Sequence, residues 1–76
     1  MPKRKGANKS LVQSIVIDKR YYTLEAAKNW LIIHGYQHNA DLKKNTYRFR
    51  QYDPDYFKYF RTKKIAPGID LIFGFY

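Results

Sequence analysis

Two arginines, Arg48 and Arg50, stand two residues apart in the segment TYRFRQY, interleaved with Tyr47 and Phe49. A guanidinium is a fixed positive charge with a planar fork of donors that fits phosphate and carboxylate oxygens. Along an extended chain, alternation sends Arg48, Arg50 and Tyr52 to one side and Tyr47 and Phe49 to the other. A sheet face offering guanidinium groups and a ring is a means of holding single strands or phosphates. Solvated arginines over an ordinary Tyr47–Phe49 core account for the same pattern. Further cations gather around this strand at Lys43, Lys44, Lys58, Arg61, Lys63 and Lys64. The candidate nucleic-acid contacts of the body are therefore Arg48, Arg50, Tyr52, Arg61, Lys63, Lys64, Lys43 and Lys44. The glycine-rich aromatic strand of an RNA-recognition motif is missing.

Other chemistry finds little footing. Without cysteine there is no disulfide, thiolate metal site or thiol nucleophile. His34 and His38 are four apart, but Gly35 ends the helical pattern between them and no HExxH motif accompanies them. Asp41-Leu42-Lys43 resembles a nuclease D/E-x-K fragment and Pro54-Asp55 the dipeptide that precedes one, yet their order is reversed. A hydrolytic triad would have to draw its nucleophile from Ser10 or Ser14, and no Gly-rich phosphate loop occurs. No catalytic residue, metal or cofactor is expected.

Charge sets the class of partner. Fifteen Lys and Arg face six Asp and Glu in 76 residues, a formal net charge of +9, and such a field draws polyanions. Nucleic acid, an anionic membrane face and an acidic protein all answer to it. No apolar run approaches the roughly 18–20 residues of a membrane span, and the basic start lacks a signal-peptide pattern, so an intracellular, non-secreted protein is expected. Residues 1–10 (MPKRKGANKS) read as a disordered basic arm, in which Lys3, Arg4 and Lys5 could lie along a phosphate backbone. Residues 11–76 read as one small domain.

These side chains need a scaffold, and eight Tyr, five Phe and one Trp supply large rings for a small core. Leu11–Ile17 is apolar and β-branched, a first strand broken by Asp18-Lys19-Arg20. Thr23 is a suitable N-cap for a helix Leu24–His34, with Glu25 in its first turn and Gly35 beyond its last. Leu24, Ala27, Leu31 and His34 form its stripe, flanked by Ala26, Trp30 and Ile33. A short strand over Tyr36–Leu42 and a turn Lys43–Asn45, with positive φ open to Asn45, lead into the arginine strand. Asp53-Pro54-Asp55 starts a helical turn through Tyr56–Phe60. Arg61–Ala66 and an alternating Ile69–Phe75 flank a type II turn at Pro67-Gly68. The fold class is α+β: one main helix on a small, mainly antiparallel sheet, in the order β-α-β-β-short α-β-β.

Several segments recur together: Trp30-Leu31, His34-Gly35-Tyr36, Tyr47-Arg48-Phe49-Arg50-Gln51, Pro54 with Phe57, Arg61-Thr62-Lys63-Lys64-Ile65 and Gly68-Ile69. In this set the chain resembles a small domain found in tailed phages and large DNA viruses, across Val12 to Phe75. The resemblance implies a viral setting, in the host cell or the virion, and carries no catalytic residues. Trp30, Leu31, Phe49 and Ile69 read as packing, while Arg48, Arg50, Gln51 and Arg61 are where a partner surface is expected. The expected function is non-enzymatic nucleic-acid binding through the basic-aromatic face and the arm. The alternative is a virion structural or interaction module docking an acidic viral or host protein. A homo-oligomer through the edge of the last strand is a further possibility.

Overall fold

A computed structural model describes residues 9–76; Lys3, Arg4 and Lys5 lie outside them. One α-helix and a five-stranded antiparallel sheet make a small α+β fold. In chain order the elements are β1 (Ser10–Asp18), α1 (Leu24–Ile33), β2 (Ala40–Leu42), β3 (Thr46–Arg50), a single 3-10 turn (Pro54–Tyr56), β4 (Tyr59–Ala66) and β5 (Ile69–Phe75). The strands lie in the order β2-β3-β1-β5-β4. Among the described residues no helix is long and apolar enough to cross a membrane.

The most apolar strand takes the centre. In β1, Ile15 and Ile17 are fully buried under the helix, opposite Phe49 and Tyr47 on β3 and Leu71 and Ile69 on β5. Ala27 and Leu31 of α1 close this core from above, with Leu24 and Trp30 packed at its rim. The helix begins where expected, Thr23 Oγ1 accepting from Ala26 N at 3.1 Å. It ends one residue earlier, with His34 as its C-cap and Gly35 turning out at φ 80°. His34 stacks on Trp30 at 4.0 Å.

Several boundaries differ from expectation, each for a local reason. Ser10, assigned to the arm, already pairs with Phe75 in β1. The strand expected over Tyr36–Leu42 holds only Ala40–Leu42. The side-chain amide of Gln51 takes the backbone of Gln37 instead. The helical turn expected through Phe60 stops at Tyr56, because Phe57 is extended (φ −115°, ψ 149°) and β4 starts at Tyr59. Asn45 does not take positive φ; among the described residues only Gly35 and Gly68 do, the latter in the Pro67–Gly68 turn. The last strand has no free edge. It is held between β1 and β4, so the long exposed edge belongs to β4.

A bulge in β1 between Val12 and Ser14 shapes the sheet's other side. It buries Gln13 and Ser14 completely enough that their polar atoms need partners. Ser14 Oγ donates to Gln13 Oε1 at 2.7 Å, and Gln13 Nε2 donates to Tyr52 O at 2.8 Å. The carbonyl of Gln13 accepts from both Gln51 N and Tyr52 N, at 2.8 and 3.3 Å. The chain therefore leaves β3 just after Arg50. Gln51 turns inward, its amide accepting from Gln37 N at 2.8 Å and donating to Gln37 O at 2.9 Å. Gln51 thus clamps the segment after α1 through its side-chain amide.

Candidate nucleic-acid interface

Residues directly opposite one another in an antiparallel ladder share a side of the sheet, so the register sorts the charged side chains. The helix side carries Tyr47 and Phe49, Ile15 and Ile17, Ile69, Leu71 and Phe73. The helix-free side carries Arg48 and Arg50 on β3, opposite Val16 and Ser14 on β1. It continues through Asp70 and Ile72 on β5 to Lys64 and Thr62 on β4. Alternation in Tyr47–Arg50 thus acts as expected. A spacing of two residues sets the arginines about 6.8 Å apart along the strand.

The remaining candidates do not all join them. Arg61 pairs opposite Phe73 and Lys63 opposite Leu71, which puts both on the helix side, away from Lys64. Three neighbouring cations on one strand cannot all face one way. Tyr52 is off the strand and stands with Tyr56 and Phe57 rather than beside the arginines. Lys44 sits in the β2–β3 turn near Asp18, Lys19 and Arg20. Lys43 does reach the face. With Asp41, Arg48, Arg50, Pro54, Phe60 and Ile72 it borders an open concavity of about 450 Å³.

Three of the six carboxylates lie on the strands of this side, and each of those three faces a cation. Asp41 lies 3.2 Å from Lys43, and Asp70 lies 3.2 Å from Lys64 without hydrogen-bond alignment. Asp18 is gripped by Arg20, whose Nη2 donates at 2.9 Å and whose backbone N–H donates at 2.8 Å. The Arg20 side-chain hydrogen bond holds the Asp18 carboxyl below the usual carboxylate range, helped by that N–H. Among the described residues neither Arg48, half-buried, nor Arg50, exposed, is within ion-pair reach of a carboxylate, although Asp41 lies directly across the ladder from Arg48 while Arg50 faces Ser14. The charge excess of the described residues is therefore spread over both sides, with Arg48 and Arg50 outside any ion pair on this one.

One feature of the face escapes the sequence reading. Gly74 faces the helix-free side, opposite Leu11 and Phe60, and the Phe57 ring occupies the space its missing side chain leaves. Around Phe57 stand Tyr76 at 5.8 Å, Phe60 at 5.9 Å, Tyr56 at 6.1 Å and Tyr52 at 6.4 Å between ring centroids. A glycine breaking the alternation of a final strand is the signal that could have found it, since such a gap marks close approach by another group. Among the described residues no group of three His, Asp or Glu converges as a metal site would require. No protein-family model matches the chain, and neither a curated protein nor a solved structure matches it.

Proposed function

We propose that this chain is a non-enzymatic nucleic-acid-binding module that takes a phosphate backbone on the helix-free side of its sheet, through Arg48 and Arg50. One observation carries the reading: among the described residues both guanidiniums face the same way without an ion pair, since Asp41, across from Arg48, engages Lys43, and Asp18 and Asp70 engage Arg20 and Lys64. An unpaired guanidinium binds phosphate without first giving up an ion pair, and its fork suits the phosphate oxygens. Lys43 and Lys64 lend weaker attraction from the margins, since each already faces an aspartate. The net charge of +9 adds long-range steering. The resemblance of its motif set to a small phage and large-virus domain supports a viral setting, a protein acting in the host cell or the virion.

Fluorescence anisotropy with labelled DNA and RNA oligonucleotides over a salt series tests it. Log affinity should fall with log salt by about 0.7–0.9 for each phosphate neutralised. Arg48→Glu with Arg50→Glu should abolish most binding, whereas Lys28→Glu on the far side should change it little. A wild-type chain that retains no oligonucleotide at low salt, or a double reversal without effect, refutes the proposal. Retention of a polyglutamate peptide in place of any oligonucleotide would assign the face to an acidic protein partner.

A further inference from the structure

We infer that the nucleic acid this face takes is single-stranded, with unstacked bases resting on the aromatic rings around Phe57. The inference rests on the phosphate-binding reading above and specifies its ligand. Only Phe57 of this group is buried. Tyr52, Phe60, Tyr76 and Tyr56 remain 41%, 43%, 48% and 67% exposed. Four large rings left in water by so small a chain run against the economy of its core. Their shared contact with a fixed hub keeps them ordered before any ligand arrives, which lowers the entropic cost of binding. Flat rings held at the surface are how single strands are gripped without base preference, because every base has a π-face.

Their position relative to the arginines fits the same ligand. Arg50 opens a row that crosses the sheet through Ser14 and Ile72 to Thr62, and Phe60 lies one row further along β4. Arg50 and Phe60 border one continuous concavity. Charge differs between the two ends. The 3-10 turn beside the rings carries Asp53 and Asp55, with Asp53 Oδ1 accepting from Asp55 N at 2.9 Å. Carboxylates there repel phosphate and leave a neutral base as the better occupant, while the phosphate belongs beside the arginines. A duplex suits this surface poorly, since its bases stack on one another and present only their edges in the grooves. The one helix is no groove reader either: its only cation is Lys28, and its exposed end shows Ile32 and Ile33.

The test uses the full chain with two probes, a labelled oligothymidylate of about ten nucleotides, a length such small folds cover, and a duplex of equal length. The single strand should bind at least about tenfold more tightly near physiological salt, enough to exceed the duplex's denser charge. Tyr56→Leu and Phe60→Leu, which spare Phe57, should each weaken single-strand binding about fivefold or more while leaving the salt slope unchanged. Arg50→Ala should instead lower the slope by about 0.7. Ring-proton NMR signals of Tyr56 and Phe60 should move on titration with the single strand. Equal affinity for both probes, with the leucine variants unaltered and Arg50→Ala still weakened, overturns the inference and leaves the phosphate site standing. Retention of neither probe overturns both.

Discussion

Replacing Gly74 by Ala puts the arrangement of the aromatic end at risk with a single methyl group. An ideal Cβ at Gly74 falls 2.6 Å from both Cδ1 and Cδ2 of Phe57, where real Cβ atoms essentially never approach a heavy atom closer than 3.0 Å. Gly74 has no positive φ, so alanine suits the backbone and the effect is steric alone. Forcing an extra methyl group into a filled space costs about 1–3 kcal/mol, and the stiffer unfolded chain returns about 0.4–1 kcal/mol. The net loss is about 1–2 kcal/mol. With a urea slope of about 1 kcal/mol per molar for a small domain, the midpoint should drop by about 1–2 M. Phe57→Leu supplies the control, because a slimmer side chain can lean away from the new methyl. In that background Gly74→Ala should cost about 1 kcal/mol less than in the wild type, a coupling that urea denaturation of the four proteins measures. Costs that add to within about 0.5 kcal/mol, or a Gly74→Ala protein as stable as the parent, would refute the placement of Phe57 over Gly74.

Other outcomes follow from neighbouring features. Arg61→Ala with Lys63→Ala should leave oligonucleotide affinity nearly unchanged beyond a small loss of steering, whereas Arg48→Ala with Arg50→Ala should reduce the salt slope by about 1.4–1.8; equal effects would mean that the side of the sheet is irrelevant. Gln51→Ala removes both hydrogen bonds to Gln37 and should cost roughly 1 kcal/mol, with faster hydrogen exchange at the Gln37 amide. Thr23→Ala removes the helix cap and should cost about 1 kcal/mol by thermal or chemical unfolding. The folded Asp18 carboxyl holds its proton less tightly than the unfolded one. Its contribution is therefore present above the unfolded value of about 3.9 and lost as pH falls through the lower folded value, an acid-side decline that Arg20→Gln should diminish in melts below pH about 5.

The parts of the fold written in local chemistry were legible. Thr23 and Gly35 bracket the helix, the Pro67–Gly68 turn separates two strands, and strict alternation in Tyr47–Arg50 placed both arginines on one side. The errors came from interactions between distant residues. Tyr52 continues the alternation on paper, but the bulge carbonyl of Gln13 draws two successive N–H groups and diverts the chain. Gln13 and Ser14 are the polar residues of the otherwise apolar first strand, and they form the buried joint that causes the diversion. Arg61, Lys63 and Lys64 form a charge run whose parity only the pairing with Phe73, Leu71 and Asp70 reveals. The segment from Asp55 to Phe60 has a helical start but an extended continuation, because Phe57 is drawn over Gly74. The ring cluster, the most informative part of the surface, depends on that long-range contact.

The two rims of the sheet are unequal, and this bears on how copies of the chain meet. The β2 rim offers three residues, too few to template a partner strand. The β4 rim offers eight, all but the last exposed, with Arg61 and Lys63 projecting above and Lys64 below. A second molecule docking there in antiparallel fashion would bring like charges across the seam on both surfaces, the kind of repulsion that keeps bare strands from zipping into ribbons. On this reasoning a crowded solution of this protein should resist fibre growth through its own cations, less strongly as salt is added.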